Sequence, residues 1–164
     1  MQFDVNYPEI GASRDIPMPD GYRHLRREAV IAAPLADAAE LLMTWGLHQR
    51  CGLHPTPTAP RAAPGVKVTL RFARLLTIPC QVTWADQTPE RAGFGYGSLP
   101  GHPERGEAAF LLETISEHRT RLILRSFSTP GTTLSRLAPP MTRLLQTRAT
   151  NRFTTEMKAA FPPK

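Results

Sequence analysis

The sequence predicts an α+β fold, a curved antiparallel sheet wrapped around a long C-terminal helix, from three observations. Residues 66–72 and 78–84 alternate apolar and polar side chains, the period of strands with one buried face. The strand-like runs that follow are joined by turns too short for crossover helices, so their pairing must be antiparallel. The chain then ends in a helical stripe of Leu134, Leu137, Met141, Leu144, Leu145, Phe153 and Met157 that needs an apolar partner. One face of the sheet is the large apolar surface available to it.

Taken in order, residues 1–22 hold Pro8, Pro17, Pro19, Gly11 and Gly21 with little periodicity and read as an irregular arm. Leu25, Ala29 and Ile31 mark a first strand, and Pro34 stands where a helix begins. Leu35, Ala38, Ala39, Leu42, Met43 and Trp45 recur at helical spacing, with Gly46 or Gly52 as the stop. The proline-rich run HPTPTAPRAAPG reads as a loop. In VKVTLRF the apolar face is Val66, Val68, Leu70 and Phe72; in IPCQVTW it is Ile78, Cys80, Val82 and Trp84. DQTPERAG turns the chain into GFGYGS, and EAAFLLETI and TRLILRSF complete a meander of about five strands. Pro139 and Pro140 interrupt the C-terminal segment, about residues 132–161, so a short lead-in, a break and a long helix from about Pro140 to Ala160 are expected. The order is that of helix-grip domains, in a single domain spanning residues 1–164.

A chain of 164 residues buries about 68–70% of the surface its unfolded form exposes and needs no cross-links. Cys51 and Cys80 form neither a disulfide framework nor a metal spacing, and the start MQFDVNYPEI has no export signal, so a cytoplasmic location is expected. No run is long and apolar enough for a membrane span. The formal charge of +6, with a pI near 10.0, favours acidic partners. Aromatic interleaving for single-stranded nucleic acid is absent, which argues against nucleic acid as a partner.

The stretch GFGYGSLPGHPERGE, residues 93–107, is the most unusual in the chain. Gly93, Gly95 and Gly97 fall on one strand face and Phe94 and Tyr96 on the other. A dinucleotide-binding fingerprint would have to open a helix within a parallel unit, so the glycines instead mark sheet curvature or a close backbone approach. His102, Glu104 and Glu107 are metal-capable residue types, but no second cluster accompanies them, and no metal is expected. His102 reads as a turn residue. Glu107, if it points inward, needs a partner, for which Arg125 is a candidate. Cys80 reads as inert core, and Cys51 has no visible paired base.

YPEIGASR at 7–14, GYRHLRR at 21–27, TWGLHQRCGL at 44–53 and GFGYGSLPGHPERGEAAF at 93–110 together resemble the family catalogued as domain of unknown function 1990. This resemblance implies membership of the START-like, Bet v 1-like (SRPBCC-like) helix-grip superfamily and a cavity between sheet and C-terminal helix, used for apolar or amphipathic small molecules without a cofactor. Candidate ligand contacts are Trp45, His48, Trp84, Phe94, Tyr96, Phe110, Leu112, Arg125, Leu144 and Phe153. One alternative is a cofactor-independent cyclase, hydratase or hydrolase, in which Tyr96, His102 or Glu107 orients or protonates a substrate. A second is a macromolecule-binding protein acting through its basic surface.

Overall fold

The computed structural model describes residues 1–164, apart from the side chains of Pro139 and Thr142. Its elements are β1 (Arg23–Ile31), α1 (Leu35–Met43), α2 (Gly46–Arg50), β2 (His54–Pro57), β3 (Lys67–Phe72), β4 (Leu76–Gln87), β5 (Arg91–Ser98), β6 (Glu104–Ser116), β7 (Arg119–Pro130), α3 (Thr133–Leu137) and α4 (Pro139–Ala160). The strands form one antiparallel sheet in the order β1-β7-β6-β5-β4-β3-β2. The meander runs in sequence from β2 to β7, and β1 closes the far edge by pairing with β7 from Arg23↔Ser128 to Ile31↔Thr120.

One face of the sheet carries the helices. Leu35, Ala38, Ala39, Leu42 and Met43 of α1 and Phe153 and Met157 of α4 pack with Val68, Val82, Phe94, Phe110, Leu112, Leu122 and Leu124. Gln146 fastens α4 to the sheet edge, accepting from Arg23 at 3.0 Å and donating to Ser128 at 3.2 Å. Pro139 and Pro140 occupy the first helical positions of α4, where an N–H would have no intrahelical partner. The other face is covered by residues 1–22, which lie along it without helix or strand. Trp84, Ala109, Leu111 and Ile123 form a small separate cluster on this face.

Three local expectations fail for physical reasons. The helical period continues through Trp45, yet α1 ends earlier: Trp45 adopts a left-handed conformation (φ 69°), and α2 restarts at Gly46. The proline-rich run contains a strand, β2, with its prolines at the sheet's edge, where a missing N–H breaks no interior ladder. In β4 the register slips by one residue, from Val82↔Tyr96 to Trp84↔Gly95. Thr83 is the extra residue of a β-bulge, and it moves Trp84 to the face opposite Cys80 and Val82.

Candidate functional site

On the helix face the reversal at Trp45 sets two polar rings into an apolar interior. Trp45 and His48, from the α1–α2 corner, meet Phe94 and Tyr96 of β5, Phe110 of β6 and Phe153 of α4. Ring centroids lie 5.3 Å apart for Trp45–Phe94, 5.1 Å for His48–Phe110 and His48–Phe153, and 5.0 Å for Phe110–Phe153. These are contact distances for aromatic pairs, so side chains fill the space between sheet and helix.

His48 is fully buried, and its Nε2 lies 3.1 Å from the Tyr96 hydroxyl. Burial pushes the His48 pKa down from 6.5 to about 3 and drives that of Tyr96 well above 10.0, so both rings are neutral. If Tyr96 donates to Nε2, the ring proton sits on Nδ1 and a single N–H is left over. The opposite tautomer would strand both the tyrosine proton and the Nδ1 lone pair, so the first is favoured. In either case His48 Nδ1 has no hydrogen-bond partner among the described residues, and neither has the buried Trp45 Nε1.

On the arm face the buried carboxylate of Glu107 is fully paired. Glu107, 2% exposed, accepts at Oε2 from the Tyr7 hydroxyl (2.6 Å) and the Gly11 N–H (2.8 Å). At Oε1 it accepts from the Ser13 hydroxyl (2.5 Å) and the Ser13 N–H (3.3 Å). Trp84 Nε1 donates to Ser13 Oγ at 2.9 Å. Arg125 donates to the carbonyls of Ser13 (3.1 Å) and Arg14 (2.5 Å). The glycine row is the floor under these groups. A Cβ on Gly95 would lie 2.1 Å from Trp84 Nε1 and 2.7 Å from Ser13 Oγ, and one on Gly97 would lie 1.9 Å from the Tyr7 hydroxyl.

The structure therefore divides the sequence-derived candidates. Trp45, His48, Phe94, Tyr96, Phe110 and Phe153 converge, with Leu112 buried in the same core. Trp84, Glu107 and Arg125 lie on the other face: the bulge redirects Trp84, and Glu107 bonds the arm rather than Arg125, which binds arm carbonyls instead. Leu144 is 45% exposed and lies outside the interior. His102 sits in the β5–β6 turn, where its Nδ1 accepts from the Glu104 N–H at 2.8 Å and burial lowers its pKa to about 4. Tyr7, Gly11 and Ser13, the carboxylate's partners, were absent from the sequence-derived set. No local spacing in the sequence pairs YPEIGASR with Glu107, which shares its stretch with Glu104.

Cys51 and Cys80 are buried free thiols, and burial raises the Cys51 pKa to about 12. Among the described residues no group of three or more His, Cys, Asp or Glu is arranged to hold a metal, and no helix is long and apolar enough to cross a membrane.

Residues 6–156 match the family described as Domain of unknown function (DUF1990). The chain belongs to that family. This DUF1990 protein is 38% identical over 167 residues to a UPF0548 protein of Deinococcus radiodurans, covering 90% of the chain and 83% of the relative. Among solved structures it resembles a hypothetical protein from Helicobacter pylori (TM-score 0.68, 9% identity, 99% and 98% of the two chains). It also resembles the Zhui aromatase/cyclase from a Streptomyces species (TM-score 0.62, 13% identity, 84% and 92%) and Ara h 8.0201 (TM-score 0.57, 10% identity, 85% and 97%). At these identities the likeness is one of fold, and the fold of this DUF1990 protein is helix-grip α+β.

Proposed function

We propose that the protein is a small-molecule-binding module that holds an apolar or amphipathic ligand against His48, Tyr96 and Trp45, between the sheet and α4. The observation that carries this reading is the pair of unpartnered buried atoms, His48 Nδ1 and Trp45 Nε1, in an otherwise aromatic interior. Leaving such a group without a hydrogen bond costs about 1–3 kcal/mol, and native interiors hold few of them. A carbonyl or hydroxyl oxygen on an apolar ligand supplies the missing acceptor for either N–H. Because side chains fill the space, occupancy requires Phe153 and α4 to move outward, exchanging ring contacts for ligand contacts.

The test is organic extraction of natively purified protein, mass spectrometry of what is released, and melting with and without added compound. A bound compound raises the melting temperature as RT ln(1 + [L]/Kd). His48→Phe is expected to weaken binding by about tenfold, the value of one hydrogen bond, without unfolding the protein. Absence of any extractable apolar species, together with unchanged melting in a panel of fatty acids and polycyclic phenols, would defeat the reading. Recovery of the compound chemically unchanged separates binding from catalysis. Chemical conversion would favour the second reading, a cofactor-independent enzyme. That reading then rests on Tyr96 with His48, since His102 and Glu107 are engaged in the turn and in the arm.

A further inference from the structure

The outward side of the C-terminal helical segment is apolar over its first half. Leu134 and Leu137, one turn apart on α3, are each 78% exposed, and Met141, Leu144 and Leu145 on α4 are 57%, 45% and 50% exposed. At 3.6 residues per turn Met141, Leu144 and Leu145 share the side opposite Thr150, Phe153 and Met157, which are the buried ones. They are not the core stripe of the helix. Arg148 and Arg152, both exposed, fall on the same side of α4 as this apolar row, and the exposed Arg136 stands beside Leu137 on α3. No Asp or Glu occurs from His118 to Thr155.

We propose that α3 and the first half of α4 dock on an anionic lipid bilayer, with the leucines and Met141 entering the interface and the arginines at the headgroups. Aliphatic side chains beside arginines, on a segment without acidic residues, are the composition that lies in a negatively charged membrane interface. A second copy of the chain fits poorly, because a two-fold contact through this face would oppose arginine to arginine with no carboxylate between them. A folded protein partner fits less well, since the centre of the patch lacks the Trp and Tyr anchors on which protein interfaces rely.

The experiment is co-sedimentation of the full chain, with no other ligand added, with vesicles of phosphatidylcholine alone or of phosphatidylcholine and phosphatidylglycerol in equal amounts. Binding to the anionic vesicles that weakens at high salt is expected, with little binding to the neutral ones. Leu137→Gln/Leu145→Gln should lose about tenfold or more in partitioning, and Arg148→Gln/Arg152→Gln roughly fivefold per arginine. Both variants should keep the wild-type melting temperature, because these side chains are exposed. The proposal is overturned if the folded wild-type chain ignores anionic vesicles, binds neutral ones equally, or binds undiminished in both variants. Light scattering that shows a dimer abolished by Leu137→Gln/Leu145→Gln would also overturn it, by giving the face to a second copy. Since His48, Tyr96 and Trp45 are untouched, failure here leaves the ligand reading standing, and failure of that reading leaves this one.

Discussion

Alternate residues of β5 face two differently built interiors. Gly95 and Gly97 look onto the N-terminal arm, where a buried carboxylate receives four hydrogen bonds. Phe94 and Tyr96 look onto the helices, where two buried ring nitrogens are unmatched. Buried polar groups that are fully paired hold a structure in one arrangement. Those that are unpaired are retained at a cost, and a binding role accounts for that cost. The proposed function gives the conspicuous glycine stretch to architecture and the less conspicuous His48 to recognition.

Substitutions on the two faces should therefore behave differently in urea melts. The largest loss is expected for Gly95→Val, about 3 kcal/mol, because its Cβ meets the Trp84 ring and Ser13 at overlapping distances and separates the arm from the sheet. Glu107→Gln should cost roughly 2–3 kcal/mol, since an amide turns a donor toward groups that are themselves donors, and limited proteolysis should then cut within residues 1–22. Tyr7→Phe, which removes one of the four bonds, should cost about 1–2 kcal/mol. His48→Phe/Tyr96→Phe should fall below about 1 kcal/mol at neutral pH, because it removes the hydroxyl, its ring partner and the unpaired Nδ1 together. A cost for His48→Phe/Tyr96→Phe as large as that for Glu107→Gln would erase the distinction between the faces.

Acid sharpens the same comparison. His48 titrates near 6.5 when unfolded and near 3 when folded, so in between the unfolded chain takes up a proton that the folded one refuses. Its contribution to stability is present above about pH 6.5 and is lost as the pH falls through about 3. His102, lowered to about 4, acts with the same sign. His48→Phe should accordingly flatten, but not abolish, the loss of stability between pH 6.5 and 3 in melts across that range. An unchanged acid limb would mean that His48 is solvated or charged in the folded state.

Much of the sheet was legible because its apolar alternation is unbroken, and the C-terminal helix because Phe153 and Met157 recur at its period. What was illegible depended on contacts made far along the chain or on the backbone's own geometry. Alternation through IPCQVTW gives no sign that Thr83 is an extra residue, so Trp84 reads onto the wrong face. Prolines in HPTPTAPRAAPG suppress a strand reading that is allowed only at an edge. Leu144 and Phe153 read as one apolar stripe, yet nine residues at 3.6 per turn set them on opposite sides of α4, so one faces outward and the other inward. The partners of Glu107 lie 94 to 100 positions away, and no local pattern points to them. The convergence of Trp45, His48, Phe94, Tyr96, Phe110 and Phe153 was accessible from residue type, whereas the unpaired state of two of their atoms was visible only in three dimensions.

The two tryptophans of the chain stand on opposite faces, Trp45 beside His48 and Trp84 beneath the arm, which allows one measurement to decide between the faces. Trp84→Phe and Trp45→Phe leave one emitter each, and 9,10-dibromostearate quenches fluorescence only on contact. Titrated into the two variants below its micellar concentration, it should quench Trp45 saturably and leave Trp84 emission unchanged. Saturable quenching of Trp84 alone, or no saturable quenching of either, would contradict the assignment of ligand binding to the helix face.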